Sequence, residues 1–311
     1  MVKYTLKRIL LIIPVCLGIA FIIFAIMNLT PGDPARIILG QSATAEAVEQ
    51  LREELHLNDP FFKRFIDYLG DIITKGDFGN SYRTSKPVLN EILNRFPVSL
   101  KLAICGMITS CIFGIPLGIL AAVKQYSKLD SIVSVLSMTI VAMPAFWVAM
   151  VLIVIFSLKL GILPASGAVG WKCYILPSIT LMLANGCSVL RITRSTMLDT
   201  IRMDYVRTAR AKGVPEPRIV FKHSLQNALL PIITTVGTIF GSLLGGAIVC
   251  ETVFSMPGLG SLIVLSIKSK DTPMVTGSII FLAMCYSIIM LVVDLLYAVF
   301  DPRIKARYKN S

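Results

Sequence analysis

Charged residues are scarce in this sequence. They make up 15% of the 311 residues, against about 25% in ordinary soluble domains. The apolar fraction is 55% and the mean hydropathy is +0.76. Because a water-soluble core cannot hide this much apolar surface, the shortage of charge excludes a soluble globular domain and indicates the lipid bilayer as the solvent.

Motifs for chemistry are also missing. A phosphate loop of the form G-x-x-x-x-G-K-[ST] is absent, so any ATP chemistry has to come from other subunits. The zinc motif H-E-x-x-H and a nucleophile elbow are absent too, and the two histidines, His56 and His223, lie outside the long apolar runs. The cysteines form no C-x-x-C pair, and we interpret them as small apolar residues. These absences argue against a membrane enzyme, and we expect no metal site.

Long uncharged runs are abundant, and they predict six transmembrane helices. Each run has about 18 residues or more, enough to cross a hydrocarbon core of about 30 Å at 1.5 Å per residue. The first is too long for a signal-peptide core and no A-x-A cleavage site follows it, so we expect an uncleaved helix. The predicted spans are 9–27, 102–123, 131–158, 173–190, 224–250 and 272–293.

Two stretches are less regular. The fourth span is short and contains Pro177, Asn185 and Gly186. The uncharged stretch 252–267 is interrupted by a proline and glycines, so we expect a loop or re-entrant piece packed on protein.

The basic residues predict the orientation. If the N-terminus is cytoplasmic, the cytoplasmic segments hold 17 Lys and Arg, eight of them between Arg191 and Lys222, while the two short outer loops hold four. The positive-inside rule therefore places both termini in the cytoplasm. The net charge of +12 is then a consequence of topology and gives no reason to expect nucleic acid.

The long segment 30–96 falls outside in this arrangement. Asp59 followed by Pro60 predicts a helix N-cap and first position, the apolar residues that follow share one helical face, and Lys75-Gly76 ends the helix. A second helix is expected over 45–56, behind Thr44. The segment therefore predicts a small helical extracytoplasmic domain.

The stretch between the fourth and fifth spans carries the strongest pattern. It predicts a short helix, a stop at Gly213, a second helix begun by Pro215, and then entry into the membrane. We expect one face of the short helix to dock on another protein, while its basic residues stay hydrated or pair with acids. A basic loop beside anionic lipid is the alternative. The docking residues are Tyr205, Val206 and Ala209, the basic ones Arg207, Arg210 and Lys212, and the small ones that permit close approach Ala209 and Ala211.

This stretch resembles the EAA loop of ABC-transporter permeases, whose landmarks are a glycine and a proline about 18 residues later, here Gly213 and Pro231. The run from Asp204 to Gly213 and the downstream His-x-Leu-x-Asn-Ala resemble the dipeptide/oligopeptide/nickel branch. The sequence departs from the general E-A-A pattern because Arg207 stands at the Glu position and Thr208 at the first Ala. Further matches to the branch are 29–34 (LTPGDP), 78–81 (FGNS), 251–260 (ETVFSMPGLG), 294–297 (DLLY) and 301–303 (DPR).

The resemblance implies an all-α integral membrane protein with the type I importer permease fold: six transmembrane helices and a small helical extracytoplasmic domain. The domains would be 1–29 (N-terminus and first helix), 30–96 (outer domain), 97–300 (permease core with the coupling loop 194–223) and 301–311 (cytoplasmic tail). The implied function is the permease subunit of an ATP-driven importer that works by alternating access. Di- or oligopeptides are the first substrate class, and nickel chelates or glutathione the alternative.

The resemblance also implies roles for particular residues. Asp204 to Gly213, including Lys212, would carry the coupling to an ATPase, with His223 and Asn227 bracing the following turn; His223 at the membrane edge is the other interpretation. Apart from the resemblance, the polar Asn185 in the fourth span is expected to line the translocation path or to pack on a neighbouring helix. Asp294 is expected to form a structural ion pair with Arg303. Contact with a binding protein, or gating of the outer mouth, would fall to Glu251, Phe254, Pro257, Gly258 and Gly260.

The implied partners are a homologous second permease, two cytoplasmic ABC ATPase subunits that use ATP and Mg²⁺, an extracytoplasmic solute-binding protein and membrane lipid. The chain itself would bind no cofactor, and the location would be the prokaryotic inner membrane. A secondary transporter or channel is the rival from another class. It would normally show intramembrane ionisable residues or paired broken helices, and neither is evident in the sequence.

Overall fold

The computed structural model describes residues 2–40 and 42–300, without the side chains of 2–9, 246 and 296–300. The predicted tail 301–311, with the Arg303 partner expected for Asp294, lies outside the described residues. Within the described part, regular structure is helical apart from an isolated bridge between Asn80 and Pro87. This confirms the predicted all-α class.

Fourteen α-helices follow one another along the described chain, with short π and 3-10 segments between some of them. Their bounds are α1 Val2–Leu29, α2 Pro34–Leu39, α3 Ala45–Glu54, α4 Phe61–Lys75, α5 Val88–Val123, α6 Lys128–Ala142 and α7 Ala145–Leu152, which continues as a π-helix over Ile153–Lys159. A 3-10 turn Trp171–Tyr174 leads into α8 Ile175–Ile201, followed by α9 Asp204–Ala211, α10 Glu216–Arg218, the π-helix Ile219–Ser224, α11 Leu225–Gly246, α12 Ile248–Val253, α13 Leu259–Lys268 and α14 Thr272–Phe300.

Five of the predicted spans are long apolar helices, and the remaining one is broken. The pair Lys128–Ala142 and Ala145–Lys159 is bent by 99°, and it makes a sixth span only if both parts are counted together. The prediction of an uninterrupted span over 131–158 is therefore wrong. The break falls at Met143, which is extended (φ −80°, ψ 132°) because Pro144 disfavours the helical conformation in the residue before it.

The two irregular stretches are more helical than predicted. The fourth span extends over Trp171–Ile201, and Pro177 is tolerated because it lies in the first turn of α8, where backbone N–H groups have no helical partner. The stretch 252–267, expected to be a loop or a re-entrant piece packed on protein, is helical in its second half, where α13 buries five of its ten residues. Pro257 and Gly258 precede α13 and do not interrupt it.

The chain divides into two compact units, Leu100–Met256 with Ile288 onward, and Val2–Ser99 with Pro257–Ser287. In the first unit, α5 carries small residues four positions apart, and they lie against α8. A Cβ added at Gly114 would come within 2.6 Å of the Gly186 carbonyl oxygen, and one at Gly118 within 2.7 Å of the Leu190 carbonyl oxygen. The two backbones therefore approach closely, as small residues allow in membrane helices. The stripe consists of Gly106, Ser110, Gly114 and Gly118.

A buried ion pair joins α6 to α8 in the same unit. Arg194 donates from Nε to Asp130 Oδ1 at 2.6 Å and from Nη2 to Oδ2 at 2.8 Å. Asp130 is almost fully buried. A bidentate pair fixes the relative orientation of two helices more strictly than apolar contact does.

The second unit holds α1 against α4 by aromatic contacts. Phe21 and Phe24 of α1 meet the Phe65 ring with centroids 5.4 and 5.5 Å apart. Helix α4 begins at Phe61 with Pro60 as its cap residue, so the predicted N-cap at Asp59 is wrong by one position. Its end at Gly76, in the left-handed conformation, is confirmed.

The remaining predictions for segment 30–96 concern α3. Thr44 caps it as predicted, because its hydroxyl accepts a hydrogen bond from the Ala47 N–H at 3.3 Å. The helix ends at Glu54, two residues before the predicted end at His56. The segment is thus helical where the sequence predicted helices, with shorter bounds.

Two adjacent buried charges organise the second unit. The Lys270 ammonium donates to the carbonyl oxygens of Thr30 and Gly32, the latter at 2.6 Å. Asp271 accepts from the Ser81 hydroxyl and from the Tyr82 N–H, the latter at 3.0 Å. A buried charge requires hydrogen-bond partners. For both residues these partners come from segments far away in the sequence.

Candidate functional site

The predicted helix–glycine–helix pattern is present. Helix α9 ends at Ala211, and two residues later Gly213, with a φ of +74°, turns the chain back. The Gly213 N–H donates to the Arg210 carbonyl oxygen at 2.9 Å. Pro215 then caps α10, which continues through the π-helix into α11. We name residues 203–224 the hairpin. The predicted loop 194–223 is shorter in the structure, because 194–201 belong to α8.

One residue of helix α9 faces inward. Val206 is fully buried within this chain, so its predicted role in docking on another protein is corrected: it anchors α9 to its own protein. Ala209 is half-buried, while Asp204, Arg207 and Lys212 are exposed. The face left for a partner is therefore more polar than the sequence predicted.

Polar contacts tie the two arms of the hairpin together. Arg210 donates from Nε to Glu216 Oε1 at 2.7 Å and from Nη2 to Oε2 at 3.2 Å. The hydrogen bond to Glu216 raises the pKa of the Arg210 guanidinium. Farther along, Asn227 donates to the Tyr205 hydroxyl at 3.1 Å and to the His223 carbonyl at 2.8 Å. Tyr205, His223 and Asn227 are thus brought together, with the His223 backbone as an acceptor.

Beneath the hairpin lies an apolar cluster. It includes Ile119 from α5, Met197 from α8, Val220 from the π-helix, and Ala228 and Ile232 from α11, all buried. This cluster therefore packs the hairpin against α5, α8 and α11.

The outward face combines apolar and basic groups. Phe221 is 60% exposed, Met203 51% and Tyr205 42%. Exposed aromatic and arginine side chains are typical of sites that bind another protein. The sequence pattern did not reveal Met203 and Phe221, because each is a single apolar residue in a polar stretch. The exposed basic residues around them are Arg202, Arg207, Lys212, Arg218 and Lys222.

The other predicted site residues lie apart from this surface. Glu251 and Phe254 are buried in the first unit, where the Phe254 carbonyl accepts from the Gly167 N–H at 3.0 Å. Gly258 and Gly260 are buried in the second unit, and Pro257 is exposed. Burial corrects the predicted contact of these four residues with a binding protein and leaves Pro257 as the exposed candidate, while gating of the outer mouth stays a prediction.

Two further predictions concern the fourth span and the proline landmark. Asn185 donates to the Leu181 carbonyl of its own helix at 3.0 Å, and its place on a translocation path stays a prediction. Pro231 lies inside α11. Among the described residues, no three His, Cys, Asp or Glu side chains are placed to hold a metal ion.

A helical membrane protein with five or six spans and an exposed hairpin between two of them has the architecture of a transport permease. The chain matches the family described as "Binding-protein-dependent transport system inner membrane component" over residues 114–306 and its N-terminal companion over residues 1–103. It therefore belongs to this family. The predicted identity as an ABC-transporter permease of the peptide/nickel branch is confirmed.

Individual relatives agree with this assignment. The chain is 42% identical to the glutathione transport system permease protein GsiC of Escherichia coli strain K12 and 44% identical to GsiC of Salmonella typhi. Both alignments run over 309 residues and cover 99% of this chain and 100% of the relative. An inward-facing structure of the MetNI methionine ABC transporter resembles the fold with a TM-score of 0.61 at 17% identity, over 70% of this chain and 100% of that chain.

Proposed function

We propose that this permease imports short peptides, with glutathione as the first candidate. Two relatives that align with 99% of the chain carry the name of a glutathione transport permease, and glutathione is one of the alternatives that the sequence resemblance implies beside di- and oligopeptides. Nickel chelates remain the alternative substrate, because the matched branch includes them.

The exposed surface of the hairpin is the observation that supports its proposed role in coupling ATP hydrolysis to transport. The hairpin presents an exposed apolar and basic face above a buried core shared by α5, α8 and α11. The chain has no phosphate loop, so the proposed partner on this face is an ATPase subunit with an apolar cleft and an acidic rim. ATP-driven closure of two such subunits moves the hairpin, and the packed core passes the motion to the membrane helices.

The rest of the proposed assembly follows the same orientation. The hairpin and both termini face the cytoplasm, because basic residues concentrate there. A homologous second permease completes the pore, and a solute-binding protein delivers substrate from outside. The outer segment 30–96 and the stretch 251–260, through its exposed Pro257, are the proposed places for that delivery, with Asn185 on the path.

Reconstitution tests the proposal. The complete transporter in proteoliposomes is given its binding protein, ATP, and in turn labelled glutathione, a dipeptide, a pentapeptide and a nickel chelate. We expect glutathione uptake that needs both ATP and the binding protein. Uptake of the nickel chelate without any peptide uptake contradicts the substrate, and uptake that continues without ATP contradicts the importer mechanism.

A coupling variant belongs in the same experiment. Gly213→Pro cannot adopt the φ of +74° at this position and lacks the N–H that bonds Arg210. We expect this variant, and Ala209→Trp, to reach the membrane and to lose uptake while ATP hydrolysis continues. Wild-type uptake by both variants contradicts the coupling role of the hairpin.

A further inference from the structure

The short turn between α5 and α6 carries an aromatic residue in an unfavourable conformation. Tyr126 has φ +63° and its side chain is 85% exposed. A bulky residue at positive φ is uncommon, because its Cβ crowds the following carbonyl, and glycine or asparagine adopts this conformation more easily. The exposed ring does not offset this cost by burial in the chain itself, so its placement calls for an explanation outside the fold.

The turn is held in place from two sides. The Tyr126 N–H donates to Asp130 Oδ2 at 3.1 Å, and the Asp130 N–H donates to the Ser127 hydroxyl at 3.3 Å. Asp130 is itself fixed by the bidentate pair with Arg194 of α8. The Tyr126 backbone is therefore set before any partner arrives, which reduces the entropy lost on binding.

The turn also adjoins the hairpin. Arg202 donates from Nη2 to Gln125 Oε1 at 3.1 Å, and Arg202 directly precedes Met203, where the hairpin begins. Lys124 and Lys128 on either side of Tyr126 are exposed. The turn and the hairpin thus form one continuous surface of the first unit, basic and carrying exposed aromatic rings.

We propose that Tyr126 is a second docking point for the ATPase subunit, beside the hairpin. The ring enters an apolar recess on that subunit, and Lys124 and Lys128 face acidic groups around it. This inference rests on the proposed function, since it takes the partner of the hairpin as the partner of the turn. Continuity of the two surfaces and their shared positive charge favour one partner for both.

Photo-crosslinking separates this inference from the proposed function. Benzoylphenylalanine replaces Tyr126, Lys212 of the hairpin, or the exposed Trp171 as control, each in the complete transporter in native membranes. We expect positions 126 and 212 to capture the ATPase, identified by its phosphate loop, and position 171 not to. Capture at 212 without capture at 126 overturns the second docking point alone. No capture at either overturns the proposed function as well.

Glycine substitution distinguishes docking from a structural role. Tyr126→Gly relieves the backbone and removes the ring, so we expect unchanged or higher thermal stability. Dissociation of labelled ATPase from the transporter in nanodiscs should become about fivefold faster or more. Tyr126→Phe keeps the ring and should stay within about twofold of wild type. Unchanged dissociation in the glycine variant, or a loss as large in the phenylalanine variant, overturns the inference.

Discussion

Gly213 lies at the bend of the hairpin with φ +74°, and an added Cβ would meet nothing within 4 Å. Gly213→Ala therefore brings backbone strain of about 1–2 kcal/mol without a clash. We expect the turn to open and transport to fall several-fold relative to ATP hydrolysis. Paired measurements of uptake and ATP hydrolysis in proteoliposomes check this ratio.

Gly76 provides the matched control for this prediction. It also ends a helix, has φ +66°, and has open space around an added Cβ. Gly76→Ala should cost similar stability while the ratio of uptake to hydrolysis stays at the wild-type value. An equal fall in both variants would show that strain itself, and not its place in the hairpin, lowers transport.

Two bidentate ion pairs in the first unit differ in burial and should differ in energy. Asp130 is 4% exposed and its partner side chain Arg194 is 28% exposed, whereas Arg210 and Glu216 are both exposed. Asp130→Asn leaves Arg194 without its counter-charge, and we expect a loss of about 2–3 kcal/mol, reduced from the fully buried case by partial hydration. Glu216→Gln should cost less than about 1 kcal/mol.

The free energy of unfolding in mixed micelles, measured for both variants, checks this contrast. Loss of Asp130 also removes the acceptor that holds Tyr126. Equal losses in the two variants would mean that the α6–α8 pair is more hydrated than its burial indicates.

Among the helices, the glycine stripe on α5 sets how closely α8 can approach. A Cβ at Gly114 meets the Gly186 carbonyl oxygen at 2.6 Å and the Val189 Cβ at 2.8 Å. Since a backbone atom cannot move aside as a side chain does, Gly114→Ala should separate the helices and cost about 1–3 kcal/mol. Thermal unfolding of the purified permease measures the loss.

Gly18 in α1 is the control for the stripe. An added Cβ there meets nothing within 4 Å, so Gly18→Ala should stay within about 1 kcal/mol of wild type and can only gain helix propensity. A Gly114→Ala variant as stable as Gly18→Ala would contradict the close approach of α5 and α8.

Local sequence patterns predict the membrane spans and the hairpin, but they do not predict contacts between residues far apart in the sequence. The spans follow from hydropathy, and the hairpin follows from Gly213 and Pro215, because each depends on neighbours in sequence. Pro144 lies inside the apolar run 131–158, and the hydropathy of that run alone does not reveal the break. The partners of Asp130 and Lys270 lie 64 and about 240 residues away, and no local pattern names them.

Within the hairpin, too, some features follow from local sequence and others depend on tertiary packing. Its helix bounds follow from the sequence, but the inward direction of Val206 and the outward direction of Phe221 do not. An eight-residue helix has too few turns for its apolar residues to define a face. The packing of α9 on the π-helix that follows decides which side is buried.

At the scale of the whole molecule, the distribution of basic residues predicts how the chain is oriented in the membrane. The positive-inside rule predicts that the hairpin is cytoplasmic and that the turn around Trp171 lies outside. Both Lys212 and Trp171 are exposed, so a cysteine at either position can react with a membrane-impermeant maleimide. The seven native cysteines are first replaced by alanine, and uptake is measured to show that this background still transports.

Labelling of the two cysteine variants in vesicles of opposite orientation, which hold the permease without the ATPase that would cover residue 212, then tests the orientation. We expect Lys212→Cys to be labelled in inside-out vesicles and protected in right-side-out ones, with Trp171→Cys showing the reverse. A cytoplasmic ATPase can bind the hairpin only if the hairpin lies on the cytoplasmic side. Reaction of Lys212→Cys from outside would therefore contradict both the orientation and the coupling role. Labelling of both from one side would mean that the chain crosses the membrane an even number of times between residues 171 and 212.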